Sequence, residues 1–158
     1  MSTSYSVTKE KVLETQKKWA DGIVRIGSDF MEKKDYTQTA KDHIDKLYAY
    51  DLSPVLFKPT KAVKDQFRSN KESALSYFVA TNGLCPEDKG FAIQPWKKVR
   101  FENSDCTIHG DTALAMGNYY FTSTEGDEIQ VEYTFGYIMD KDGNLRINLH
   151  HSSVPFSG

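Results

Sequence analysis

Hydrophobic positions along the chain change their spacing about midway, from the period of a helix to the period of a strand. Residues 8 to about 31 carry apolar side chains at three- and four-residue steps. A second run of this kind begins after Asp35, a candidate N-cap, and stops before Pro54. A third, shorter helix is predicted over 70–83, and the proline-bracketed segment 54–60 is predicted to be a short strand. The first half of the chain is therefore expected to be mainly helical.

Beyond Gly90 apolar and polar residues alternate in four segments, a pattern typical of strands. The segments are 91–103, 112–123, 128–139 and 145–156. The connections between them contain the glycine and aspartate residues of hairpin turns, so consecutive strands are expected to pair in an antiparallel meander. Pro95 lies inside the first segment, which indicates a bulge or an edge position there.

Helices followed by a run of strands predict an α+β domain. At 158 residues the chain is most economically a single domain, 1–158, with about 1–7 as a flexible N-terminus. A curved antiparallel sheet wrapped around the N-terminal helices forms a cone. Small ligands bind in apolar hollows where a few polar groups converge, so the mouth of the cone is the predicted site.

Charge and composition exclude several classes of partner. Lys and Arg number 20 against 22 Asp and Glu, and the charges are interspersed, so neither nucleic acid nor an anionic membrane is an expected partner. The sequence contains no apolar run of 18 residues and no leader with an apolar core, so a soluble cytoplasmic chain is expected, although a processed organellar form would look the same. Cys85 and Cys106 are too few for a disulfide scaffold and are expected to be free thiols.

The last predicted strand ends in LHHSSVPF, a run of four polar side chains that a turn would not need. Neighbouring strand residues point to opposite faces. If His151 and Ser153 continue the alternation of Leu145, Ile147 and Leu149, they face the interior side by side. The opposite face would then carry Arg146, Asn148, His150 and Ser152. Buried polar groups need polar partners, so the inward histidine and serine are candidate site residues.

The alternative is a core histidine bonded to a backbone carbonyl, with Ser153 as a strand-end cap. A zinc site is disfavoured, because His150 and His151 diverge on a strand while His43 and His109 lie in other segments. No HxH or HExxH motif occurs, and no metal or cofactor is predicted.

Thr60, which closes the FKPT segment, and Tyr77, on the inner face of the third helix, are both placed to reach the cone mouth. Each alone has an ordinary structural explanation, a turn cap for Thr60 and a core aromatic for Tyr77. The remaining aromatic residues are predicted to pack on strand faces or in the core. These are Tyr119, Tyr120, Tyr133, Tyr137, Trp19 and Trp96.

Several collinear motifs carry a resemblance to a known family. They are VLFKPTKA, QFRSNKESALSYF, GFAIQPWKKVRFEN, ALAMGNYYFT, VEYTFGYIMD and LHHSSVPF. Together, from about Trp19 to Phe156, they resemble the iota-class carbonic anhydrases of algae and bacteria, a branch of the nuclear transport factor 2-like superfamily. HHSSVPF also resembles the association domain of calcium/calmodulin-dependent protein kinase II.

The resemblance implies hydration of carbon dioxide to bicarbonate in a cone-shaped pocket whose polar residues are Thr60, Tyr77, His151 and Ser153. The alternation of the last strand selected the same histidine and serine independently. The family has members regarded as metal-free and others linked to manganese, and the lack of a ligand cluster in this sequence favours the former.

On this hypothesis the hydroxyls of Thr60, Tyr77 and Ser153 hold a water and the substrate oxygens. His151 is the expected base, acting directly or by polarising Tyr77 or Ser153, since a tyrosine with an ordinary pKa near 10 is only about 0.1 % ionised at pH 7.

Two other functions compete with this one. A non-enzymatic oligomerisation module of the kinase-association-domain type would share the fold, and an outward sheet face with aromatic residues would suit a homodimer or a larger homo-oligomer. An isomerase or cyclase on the same fold would place an acidic base in the cone, and the predicted inward positions of the last strand carry none.

Overall fold

The computed structural model describes residues 6–158 and shows the expected order of helices followed by strands. The helices are α1 Lys9–Met31, α2 Tyr36–Leu47 and α3 Lys71–Val79. The strands are β1 Leu56–Lys58, β2 Trp96–His109, β3 Thr112–Ser123, β4 Glu128–Met139 and β5 Leu145–Ser153. Over this part of the chain no helix is long and apolar enough to cross a membrane. The predicted flexible segment 1–7 lies outside the described residues except for Ser6 and Val7, and Val7 is buried.

Side-chain caps begin the three helices. Thr8 accepts a hydrogen bond from the backbone N–H of Lys11, and Asp35 caps α2 as predicted. Asn70 and Ser73 form a reciprocal capping box at the start of α3. The end of α3 differs from the prediction, because Ala80 rather than a glycine takes the left-handed conformation there.

The sheet has the strand order β1-β5-β4-β3-β2. Strands β2 to β5 form the predicted antiparallel meander, and β1 adds a parallel edge against β5 that the sequence did not predict. The first strand of the meander, β2, begins only after Pro95, because Phe91–Ile93 forms a 3-10 turn, and it extends to His109 through residues expected to be a loop. It lies at the sheet edge, which is where a proline is tolerated.

The concave face of the sheet closes around α1, and Trp19 lies at the centre of the contact. Its ring packs against Phe101, Tyr119 and Phe135 with ring centroids 5.5–5.9 Å apart. Trp96 is also buried, so both tryptophans are in the core as predicted.

The pairing of β4 with β5 changes register once. Gly136 lies opposite Leu149 and Tyr137 lies opposite Ile147, so Asn148 has no partner in β4. Such an extra residue is a β-bulge, and it turns every side chain beyond it to the other face. The absence of a side chain at position 136 makes room for the bulge, since a Cβ there would lie 2.8 Å from the Cβ of Leu149.

The bulge overturns the predicted orientation of the last strand. His150 and Ser152 are buried, at 2% and 1% exposure, whereas His151 is exposed and Ser153 is half-buried. The prediction that His151 and Ser153 face the interior is therefore wrong. Side chains alternate between the inner and outer faces both before and after Asn148. Because Asn148 is an extra residue, the alternation after it is shifted by one position.

A buried ion pair attaches the loop that carries Thr60 to the rest of the domain. Arg68 is fully buried and binds both oxygens of Asp88, at 2.6 and 2.8 Å, while Ser76 donates to the same carboxylate. This ties the segment between β1 and α3, residues 59–70, to the segment that follows α3.

Replacing Asp88 with Asn should lower the free energy of unfolding by about 3–5 kcal/mol, because the Arg68 guanidinium stays buried without its carboxylate. Urea denaturation measures the change. The matched control is Asp21→Asn, which breaks the exposed Lys17–Asp21 pair and should cost less than about 1 kcal/mol. Equal losses in the two variants would contradict the role given to the buried pair.

Candidate active site

Four polar side chains, from strands β3 and β5 and from the loop after β1, form a connected chain of hydrogen bonds inside the cone. The Tyr119 hydroxyl on β3 lies 3.1 Å from Nε2 of His150 and 2.5 Å from the Ser152 hydroxyl on β5. Ser152 Oγ lies 2.6 Å from the hydroxyl of Thr60, which follows β1. We call Thr60, Ser152, Tyr119 and His150 the hydroxyl chain. It exists because the bulge brings His150 and Ser152 to the inner face.

The inner end of the chain is anchored on the helices. Trp19 Nε1 donates to the Tyr48 hydroxyl at 3.0 Å, and that hydroxyl lies 2.8 Å from His150 Nδ1. An indole can only donate, so the Tyr48 oxygen accepts from Trp19 and its own hydrogen goes to Nδ1. A proton on Nδ1 would leave the buried Tyr48 hydrogen without a partner. His150 is thus the tautomer that carries its hydrogen on Nε2.

This tautomer gives the chain a direction. His150 Nε2–H donates to Tyr119, and the Tyr119 hydroxyl donates to Ser152. The hydrogen of Ser152 has two acceptors, Thr60 Oγ1 at 2.6 Å and the carbonyl of Glu132 at 3.3 Å. Thr60 can therefore turn either its hydrogen or a lone pair toward the adjoining cavity.

Burial keeps every side chain of the hydroxyl chain, and Tyr48 beside it, neutral near pH 7. It lowers the pKa of His150 well below 6.5, with smaller contributions from His151 and His43. It raises the pKa of Tyr48 and of Tyr119 far above 10. The imidazole lies between aromatic rings, with centroids 4.7 Å from Phe57 and 4.1 Å from Phe135.

The chain borders a small cavity of about 10 Å³, enough for about one water. Its polar wall comes from Thr60, Tyr77, Tyr119, His150 and Ser152. Its apolar wall comes from Trp19, Pro59, Phe78 and Phe91. We call it the catalytic cavity.

Tyr77 lies where the catalytic cavity meets the loop after β1. Its hydroxyl accepts the backbone N–H of Lys61 at 3.4 Å. Burial raises its pKa far above 10, and the neighbouring N–H of Lys61 and hydroxyl of Thr60 oppose that rise. Tyr77 is consequently a neutral hydrogen-bonding group.

Thr60 and Tyr77 thus lie together at the cavity, whereas His151 and Ser153 do not reach it. Ser153 donates to the Glu132 carboxylate at 3.2 Å on the outer side. The sequence reasoning assigned Tyr119 to packing and did not single out Tyr48. A signal was available for Tyr119, since alternation with the apolar Phe121 places it on the inner face of β3.

Among residues 6–158 no group of three or more His, Cys, Asp or Glu side chains could hold a metal ion. The polar groups around the catalytic cavity are hydroxyls and one imidazole, and both ring nitrogens of that imidazole already have partners. This donor set suits hydrogen bonding to a small oxygen-containing molecule.

Comparison with known proteins gives the family. The family model for metal-independent carbonic anhydrases matches residues 10–154. A curated metal-independent carbonic anhydrase from Nostoc sp. (strain PCC 7120) is 40% identical over 154 residues, which cover 96% of this chain and 75% of the relative.

Solved structures agree with this match. The crystal structure of a cyanobacterial iota-carbonic anhydrase complexed with bicarbonate has a TM-score of 0.95 and 38% identity, covering 100% of this chain and 99% of the other. A putative calcium/calmodulin-dependent protein kinase II association domain from Xanthomonas campestris has a TM-score of 0.59 and 21% identity, covering 100% and 99% of the two chains. The latter shows the shared fold, which is that of nuclear transport factor 2-like proteins. The chain belongs to the family of metal-independent carbonic anhydrases, the iota class.

Proposed function

We propose that this carbonic anhydrase hydrates carbon dioxide at the catalytic cavity, which holds the attacking water, while the hydroxyl chain presents donors to the oxygens of the substrate. The observation that carries the proposal is the convergence of Thr60, Tyr77 and Ser152 on a space the size of one water. The related cyanobacterial enzyme was crystallised with bicarbonate, a molecule that hydroxyl donors of this kind would bind.

The two walls of the cavity suit the two sides of the reaction. Carbon dioxide is neutral and apolar, and the rings of Phe78 and Phe91 offer it an apolar wall. Negative charge develops on oxygen as bicarbonate forms, and donors already in place stabilise that charge without reorganising. Fixing water beside the carbon also removes much of the entropic cost of bringing the two together.

Thr60 can first bind the attacking water and then stabilise bicarbonate, because the Ser152 hydroxyl can donate to either of two acceptors. When Ser152 donates to the Glu132 carbonyl, Thr60 donates to Ser152 and its lone pair accepts a hydrogen of the attacking water. When Ser152 donates to Thr60, the Thr60 hydrogen points to the cavity and stabilises bicarbonate. Rotation of two hydroxyls is thus enough to change the polarity that the site presents.

His150 positions this chain and does not act as its base. Its Nδ1 lone pair is occupied by Tyr48, its Nε2 carries a hydrogen, and burial holds its pKa well below 6.5. The role expected for His151 therefore does not pass to His150. The hydrogen that Thr60 accepts orients the attacking water, and the proton released as bicarbonate forms is taken up by a solvent water, because no group of the hydroxyl chain stores it.

We also propose that two copies of the chain associate through the outer face of the sheet. Leu114 and Met116 are 50% and 58% exposed on that face. Leu114 lies beside Leu149 across Gly136, so the apolar surface extends over β3, β4 and β5. An exposed apolar patch of this kind is typical of an interface.

Ser152→Ala and Thr60→Val should each reduce kcat/KM for carbon dioxide hydration by about 10²-fold, since Thr60→Val removes the donor to the developing charge and Ser152→Ala removes the hydroxyl that orients that donor. Stopped-flow hydration measures this on protein treated with chelator and checked for metals. The matched controls are Ser153→Ala and His151→Ala, which change the same residue types on the outer side and should leave the rate within about twofold. Loss of activity in the controls with retention in Ser152→Ala would refute the site.

Acid should destabilise the fold from pH 6.5 downward. Burial lowers the pKa of His43 to about 3 and that of His150 well below 6.5, so below pH 6.5 the unfolded chain binds protons that the folded chain does not. Each histidine then contributes a loss of up to about 1.4 kcal/mol per pH unit in the free energy of unfolding. Urea unfolding between pH 7 and 5 measures the slope.

Nitrogen NMR of the histidines should show His150 neutral, with its hydrogen on Nε2, throughout this range. A His150 signal that titrates near pH 6.5 would contradict the assigned tautomer and its anchoring role.

Met116→Lys should convert the proposed dimer to monomer, because it places a charge in the apolar contact. Light scattering coupled to gel filtration measures the mass. Val63→Lys, at an exposed apolar residue of the loop after β1, is the control and should leave the mass unchanged. A monomeric native protein, or one whose mass Met116→Lys does not alter, would contradict this interface.

A further inference from the structure

A second, larger cavity of about 280 Å³ adjoins the catalytic cavity. Tyr77 and Phe91 line both, and their stacked rings, 5.6 Å apart, form the wall between them. The remaining lining comes from Lys61, Glu87, Asp88, Lys89, Gly90 and Gln94. We call this space the vestibule.

The carboxylates of the vestibule are already occupied. Glu87 accepts three consecutive backbone N–H groups, those of residues 63–65, at 2.7–3.0 Å. Asp88 is held by the Arg68 guanidinium and the Ser76 hydroxyl. Arg68 neutralises the charge of Asp88, whereas Glu87 keeps its negative charge but turns both carboxylate oxygens to backbone N–H groups of the loop.

The lysines of the vestibule, in contrast, have no carboxylate partner among the described residues. The Lys61 ammonium donates to the neutral Gln94 amide oxygen at 2.9 Å and lies 5.8 Å from the centre of the Phe91 ring. Within residues 6–158 no carboxylate lies within 4 Å of the ammonium of Lys61 or of Lys89. Partial burial and the charge of Lys89 both lower the pKa of Lys61, as expected for a cation without a counter-charge.

The backbone also fixes the position of Lys61 relative to the residues of the catalytic cavity. This lysine directly follows Thr60, and its backbone N–H donates to the Tyr77 hydroxyl. Lys61 lines the vestibule together with this tyrosine, which also borders the catalytic cavity.

We propose that the vestibule binds bicarbonate on its path between the hydroxyl chain and solvent, with Lys61 and Lys89 supplying the positive charge. The inference rests on the proposed function, since it takes the anion to be formed or consumed at Thr60. Of the two carbon species in the reaction only bicarbonate is charged, so the lysines act on one of them and leave carbon dioxide unaffected.

The equilibrium constant of the reaction is fixed, and it limits which kinetic constants the lysines can change. It ties kcat/KM for hydration to kcat/KM for dehydration, so no variant can lose one without losing the other in proportion. A residue that only holds the anion leaves both ratios unchanged. It changes instead the concentration at which bicarbonate saturates the enzyme, which appears as product inhibition of hydration.

Lys61→Gln should raise the bicarbonate inhibition constant about threefold, and Lys61→Gln with Lys89→Gln about tenfold, at low ionic strength. Initial rates of hydration at several bicarbonate concentrations give this constant, and kcat/KM for carbon dioxide should stay within about twofold of the native value. In the native protein added salt should weaken the inhibition, and in the double variant this salt dependence should largely disappear.

Lys64→Gln is the matched control, an exposed lysine of the same loop that does not line the vestibule. An unchanged inhibition constant in the double variant, or an equal rise in the control, would overturn the vestibule. A loss of kcat/KM that accounts for the whole effect would also overturn it. The hydroxyl chain is tested separately, since its failure would appear as full activity in Ser152→Ala whatever the lysines do.

Discussion

The register of one strand determines what this protein can do. Asn148 is an extra residue in β5 and forms the bulge. The bulge brings Leu149 so close to position 136 that only a glycine fits there. Without the bulge, the alternation begun at Leu145 would turn His151 and Ser153 inward and leave His150 and Ser152 outside. The sheet would close around α1 in the same way, but the inward histidine and serine of β5 would lie one residue further along the strand and would no longer face Tyr48 and Tyr119 as His150 and Ser152 do.

The interior position of these groups explains why the site carries no charge. A charged side chain in this aromatic surrounding would need a counter-charge or would shift its pKa until it became neutral. The chain instead contains neutral donors and acceptors, each satisfied by the next, from Trp19 to Thr60. The cost of this solution is a weaker nucleophile than metal-bound hydroxide, because nothing in a neutral network lowers the pKa of water to about 7.

Local patterns were sufficient to predict most of the fold. Helical spacing and the caps Asp35 and Asn70 located the helices, and two-residue alternation located the meander, because these features depend on neighbouring residues. The parallel edge formed by β1 was not predictable in this way, since it depends on a contact between residues more than 90 positions apart.

The inner face of β5 was predicted wrongly for a related reason. The motif HHSS places a histidine and a serine two residues apart in either register, so it fits both orientations equally well. The deciding signal lies in another strand, at Gly136, and becomes readable only when β4 and β5 are paired. Motif resemblance found the correct family and the correct segment, and a shift of one residue was enough to exchange the inner pair for the outer one.

Strand β5 also links the site to the position of the helices. Arg146, which precedes the bulge, donates through Nη2 to the carbonyls of Asp45 and Tyr48 at the end of α2, 2.8 Å each. Tyr48 in turn presents its hydroxyl to His150, which follows the bulge on the same strand. The backbone of Tyr48 is thus held by one end of β5 while its side chain sets the tautomer at the other end. A displacement of α2 would therefore disturb the direction of the whole hydroxyl chain, so the packing of helices against the sheet is part of the catalytic apparatus.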